Sequence, residues 1–164
     1  MKTLELRVRQ RTRRVDTVLL RRFIRALLEE KLGVASYELG LHLVAAPEMT
    51  RLNETFLQHA GSTDVITFDH AEAPDSSRLH GEIFICLDDA VNQSRTFRTT
   101  WQSELARYVI HGVLHLRGFE DLTPGKRRVM KREENRLLRA WAGQFPLQRL
   151  AKTSGREPST ARRR

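Results

Sequence analysis

The chain opens with two periodicities in immediate succession. Leu4, Leu6 and Val8 alternate with polar residues, the period of a half-buried strand. From Asp16 onward, Leu19, Leu20, Phe23, Ile24, Leu27 and Leu28 recur at the spacing of one helix face. A strand followed at once by an amphipathic helix must bury both apolar faces, which restricts the chain to a layered mixed fold. Asp16 is the expected helix cap and Gly33 the stop. Alternation returns at Leu39, Leu41 and Leu43, and Pro47 opens a short helix carrying Met49, Leu52 and Phe56. "TDVITF" and "GEIFIC" read as two further strands, separated by the loop "DHAEAPDSSRLH". Asp88 is placed to cap a helix toward Arg98, and Ser103 to cap one through Leu105, Tyr108, Val109 and Leu116 that stops at Gly118. Thr123 with Pro124 starts the last, whose apolar side is Val129, Met130, Leu137, Leu138 and Trp141. The predicted fold is α+β, a single domain over 1–150, with a small four-stranded mixed sheet and about five helices largely on one side. Its strand order is left open by the pattern.

A chain of 164 residues with 40% hydrophobic content supports one core. No apolar run approaches the ~18 residues of a membrane span, and "MKTLELRVRQ" lacks a secretory apolar stretch, so a cytoplasmic protein with no membrane partner is expected. Cys86 is the only cysteine, which excludes an intrachain disulfide and suits a reducing compartment. The net charge of +9 is unevenly distributed: Met1 to Gly125 holds 16 Lys+Arg against 17 Asp+Glu, and Lys126 to Arg164 holds 13 against 3. Residues 151–164, "AKTSGREPSTARRR", read as a disordered basic tail. A second basic cluster, "RVRQRTRR", spans Arg7 to Arg14. Such clusters fit a polyanion such as RNA, although charge runs also serve solubility alone and fix neither partner nor sequence.

The stretch that carries chemistry is "HGVLHLRGFED", His111 to Asp121, at the end of the helix that starts near Ser103. Residues four apart lie on the same helix face, so His111 and His115 can offer imidazole nitrogens to one ion. Gly118 can take the left-handed conformation that ends a helix and turn Asp121 back as a third ligand. Glu120 is the competing acid, and only one of the two neighbours should reach the ion. Three ligands leave a tetrahedral position open, the arrangement of a catalytic zinc site. Histidine pairs at this spacing also occur on helices that bind nothing.

Taken together, "LNETFLQHAGSTDVITF", "GEIFI" and "HGVLHLRGFED", followed by Met130 and Glu134, resemble the YbeY family of metal-dependent endoribonucleases from about Leu4 to Ala142. The resemblance implies a zincin-like fold and one Zn2+ per chain, with His111 and His115 as the first two ligands. It implies a single-strand-specific endoribonuclease that matures the 3′ end of small-subunit ribosomal RNA and acts in ribosome quality control. Ribosomal RNA and the small ribosomal subunit are then the partners, with no nicotinamide or nucleotide cofactor. The commonest family pattern has a third histidine where this chain has Asp121, a change that keeps the spacing and alters the ligand charge. The family's arginine after "LNxxF" is Leu57 here, so its role does not carry over. Arg117, Lys126, Arg127 and Arg128 are the candidate RNA contacts.

In a zinc protease a glutamate after the first histidine activates the attacking water. Gly112 cannot do so. RNA carries its own candidate nucleophile, the 2′-hydroxyl, so the missing base speaks against peptide hydrolysis more than against RNA cleavage. Attack by that hydroxyl or by metal-bound water, and the identity of any general acid or base, stay open. The alternatives to an endoribonuclease are a zincin-type peptidase or other hydrolase, and a non-catalytic ribosome-binding module with a structural metal.

Overall fold

A computed structural model describes residues 1–152. The strands are β1 (Lys2–Arg9), β2 (Ser36–Val44), β3 (Val65–Asp69) and β4 (Arg78–Cys86). They form one sheet in the order β1-β2-β4-β3, parallel except for the antiparallel β3–β4 pair. Helices α1 (Thr17–Ala26), α2 (Ala46–Leu52), α3 (Leu87–Phe97), α4 (Trp101–Leu116) and α5 (Pro124–Ala142) complete the α+β architecture. A π-helical turn (Leu27–Lys31) prolongs α1, and a short 3-10 turn (Leu147–Leu150) follows α5.

Register explains the core. Leu4 and Leu6 of β1 pair with Leu39 and Leu41 of β2, which pair with Gly81 and Ile83 of β4, so small and branched side chains line one sheet face. That face meets Leu20, Phe23 and Ile24 of α1, Leu105, Val109 and Val113 of α4, and Met130, Leu137 and Trp141 of α5 in the main apolar cluster. The helices thus lie largely on one side, as the sequence predicts. The exception is α2, whose Met49 packs with Val44, Ile66, Phe84 and Cys86 on the opposite face. Cys86 is fully buried there, and burial pushes its thiol pKa up, the signature of a packing residue.

Asp16 caps α1 by accepting the Leu19 amide at 3.0 Å, as predicted. Two other caps differ. Thr100, three residues before Ser103, caps α4. Asp88 sits inside the first turn of α3 and accepts the Ala46 amide at 2.6 Å, thereby capping α2. Both corrections have one cause: several Ser, Thr and Asp residues near a helix start compete for the orphan amides, and tertiary neighbours decide among them.

Ala151 bridges Val15, and the Lys152 amide donates to the Arg14 carbonyl at 2.9 Å. The rest of the predicted tail lies outside the described residues. Among the described residues no helix is long and apolar enough to cross a membrane.

Candidate metal centre

Helix α4 carries two functions on two faces. Leu105, Val109, Gly112, Val113 and Leu116 go toward the sheet, while His111 and His115 stand one turn apart on a flank that faces α5. The helix stops at Gly118, whose φ of +103° costs a glycine little and any side chain much more. The turn is closed by the Gly118 amide on the His115 carbonyl and the Phe119 amide on Leu114, both at 3.0 Å. It returns the chain so that Asp121 Oδ2 lies 3.6 Å from His111 Nε2 and 3.5 Å from His115 Nε2. The two Nε2 atoms are 3.0 Å apart. Glu120 turns away and pairs with Lys126 at 3.1 Å, so of the two neighbouring acids only Asp121 faces the histidines.

The donor set suits a divalent ion. Ligand atoms about 2.1 Å from a tetrahedral ion stand about 3.4 Å apart, close to the three separations found. The tautomers point the same way. His115 Nδ1 lies 3.1 Å from the Phe119 carbonyl, which can only accept, so Nδ1 carries the proton and Nε2 presents its lone pair. His111 Nδ1 hydrogen-bonds the Glu134 carboxylate, which leaves its Nε2 facing the same point. Two imidazole nitrogens and a carboxylate converging at this range need a proton or a cation among them, and the three together could hold a metal ion. Burial opposes charge on His111, but the hydrogen bond and charge of Glu134 outweigh it and hold its pKa above the ordinary value. Burial, then the neighbouring His111, holds His115 below it.

Glu134 is the residue whose role the sequence reading leaves unassigned. It is 7% exposed on α5, and Arg107 of α4 donates to its Oε1 at 3.2 Å and to Asn135 Oδ1 at 3.0 Å. The chain Arg107–Glu134–His111 therefore fixes a ring from behind, as carboxylates do behind metal-binding histidines. One signal for it exists in the sequence: an acid standing in the stripe Met130, Leu137, Trp141 of an amphipathic helix must find a buried partner.

A cleft of about 300 Å³ opens beside the cluster. Its floor is the α4 stripe Glu104, Arg107, Tyr108 and His111; α3 contributes Gln93 and Phe97, and α5 contributes Arg127, Met130, Lys131 and Glu134. Asp64, just before β3, and Asp121 complete it. Among the predicted cationic contacts only Arg127 lines this cleft, and it also donates to the Asp121 carbonyl at 3.2 Å. Lys126 is paired with Glu120, and Arg128 is exposed on α5. Arg117 donates to the carbonyls of Leu32 and Ser76 at 3.2 and 3.1 Å, which ties it into the scaffold. In the other basic cluster, Arg9 is held by both oxygens of Glu48, at 3.2 and 2.8 Å.

With this geometry in hand, the sequence model of the family described as Endoribonuclease YbeY matches residues 5–142. The chain belongs to the YbeY family. It is 37% identical over 109 residues to the endoribonuclease YbeY of Parabacteroides distasonis, covering 66% of this chain and 75% of the relative. The endoribonuclease YbeY of Salinibacter ruber is 33% identical over 135 residues, with 79% and 85% covered. The solution structure of TM1509 from Thermotoga maritima superposes with a TM-score of 0.57 at 25% identity, covering 94% of this chain and 99% of that one. The YbeY match spans every residue that builds the cluster and the cleft.

Proposed function

We propose that this YbeY-family chain is a zinc-dependent endoribonuclease for single-stranded RNA, acting on ribosomal RNA precursors at the small-subunit 3′ end and in ribosome quality control. Its catalytic unit spans residues 1–150, and its place of work is the cytoplasm. The observation that carries the reading is the convergence of His111 Nε2, His115 Nε2 and Asp121 Oδ2 at tetrahedral spacing, beside a cleft that α5 lines with Arg127 and Lys131. The names of the matching relatives support RNA as the substrate.

Bound among those three side chains, zinc would supply a Lewis acid for charge developing on a phosphoryl oxygen. The protein's own groups do the rest. Glu134 and the Phe119 carbonyl hold the two imidazoles in one tautomer and orientation. Arg127 and Lys131, one turn apart on α5, hold the phosphate backbone over the cleft. Peptide hydrolysis finds no support at position 112: a Cβ built on Gly112 would lie 2.7 Å from Ile83 Cγ2, so that position faces β4 and not the cleft. RNA carries its own candidate nucleophile, the 2′-hydroxyl, so its cleavage requires none from position 112.

The test is metal analysis of the purified protein combined with cleavage of a ribosomal RNA precursor, with and without chelator, for wild type and His111→Ala. The expected variant keeps most RNA affinity, because Lys and Arg supply it, and loses cleavage. A folded His111→Ala protein that cleaves at the wild-type rate after chelation overturns the reading.

A further inference from the structure

Phe97, the last residue of α3, is 64% exposed although it lines the cleft beside the metal-ligand cluster. We infer that Phe97 is a stacking platform for one unpaired nucleobase of the RNA, seated between α3 and α5 next to the phosphate that is cleaved. The inference rests on the endoribonuclease reading and adds a base-binding subsite to it.

Three observations carry it. The walls are chemically unlike: Arg127 and Lys131 lie four apart on α5, and Gln93 and Phe97 lie four apart on α3, so each pair shares one helix face and the pairs line the same cleft. A nucleotide is unlike in the same sense. With its phosphate at the α5 cations, its base is directed to the α3 wall, where an aromatic face and an amide are offered. Second, the volume of about 300 Å³ is at the small end for ligand pockets, room for one nucleotide and far too little for a duplex. Third, the floor holds an unspent donor: Tyr108 is 4% exposed and its hydroxyl has no hydrogen-bond partner among the described residues. Burial, then the charges of Asp64 and Glu104, raise that phenol's pKa, so it stays a donor beneath the cleft floor.

Stacking also accounts for strand selectivity. A base in a duplex is already covered on both faces, whereas an unpaired base can exchange water for the phenyl ring.

The experiment uses short single-stranded oligoribonucleotides in which one nucleotide at a time is abasic. For the wild-type protein, removing the base at one position beside the cleaved bond is expected to lower kcat/KM by about tenfold or more. Phe97→Ala should lower kcat/KM on intact RNA by a similar factor and show no further loss with that abasic strand, and Phe97→Trp should restore both. As an exposed position, Phe97→Ala should keep the wild-type Tm. In parallel, 2-aminopurine at the same nucleotide should be quenched on binding to wild type in chelator and not on binding to Phe97→Ala. An abasic penalty that persists undiminished in Phe97→Ala, or wild-type kcat/KM for Phe97→Ala on intact RNA, overturns the subsite. If wild type cleaves no RNA, the endoribonuclease reading fails instead, and the fluorescence still reports whether a base stacks on Phe97.

Discussion

Gly112 and Ile83 are in contact across the interface of α4 and β4, so that a Cβ added to the glycine would lie 2.7 Å from Ile83 Cγ2 and 3.0 Å from Cδ1. This closeness lets the helix bearing both histidines lie close against β4, one of the two inner strands. Gly112→Ala is expected to destabilise the protein by about 1–3 kcal/mol, the usual range for overpacking, through displacement of Ile83 or of the helix. Urea unfolding reads it directly, and an unchanged midpoint would show that the interface has slack. Gly112→Glu should unfold the protein further and yield no peptidase activity.

Asp121 and Glu120 are neighbours with opposite fates, one facing the two Nε2 atoms and the other paired with Lys126. Asp121→Ala should therefore lose bound zinc in equilibrium dialysis, and Glu120→Ala should retain about one ion per chain. Full stoichiometry and affinity in Asp121→Ala would remove the aspartate from the ligand set.

Glu134 holds His111 Nδ1 and receives Arg107. Substituting such a supporting carboxylate costs about 10–100-fold in metal affinity, which is the expectation for Glu134→Ala in a chelator competition. Glu134→Gln keeps an oxygen that can accept from Nδ1 and should lose less. Because Glu134→Ala also strips a buried partner from Arg107, its thermal midpoint should fall even without metal. Wild-type zinc affinity in Glu134→Ala would mean that the ring is oriented by its helix alone.

The elements that sequence makes legible here are those with local causes. Alternation at Leu4, Leu6 and Val8 and the apolar face from Leu19 to Leu28 each depend on one strand or helix, and both are where the pattern puts them. The histidine pair and Gly118 are legible for the same reason, since helical spacing and a positive φ are local properties. What the sequence leaves hidden is set between elements. Strand order depends on which edges pair, the redirected cap at Asp88 on where α2 docks, and the support from Glu134 on how α5 crosses α4. Arg117 illustrates the point: in sequence it lies within the motif, whereas its partners Leu32 and Ser76 are far off in the chain.

That placement of Arg117 separates two kinds of cation by experiment. Lys131 is exposed and lines the cleft beside the candidate metal ligands, so a phosphate bound there would release counterions. Lys131→Ala should weaken RNA binding at low salt and reduce the slope of log K against log salt by roughly 0.7, the value for one contact on a single strand. Arg127→Ala should do the same and also loosen the turn, because Arg127 donates to the Asp121 carbonyl. Arg117→Ala should leave the slope unchanged and lower stability by about 1–3 kcal/mol, since two backbone carbonyls lose a charged donor. Binding titrations at several salt concentrations, paired with urea unfolding of each variant, distinguish these outcomes. A slope that falls for Arg117→Ala and not for Lys131→Ala would move the RNA path away from α5, toward the turn after α4.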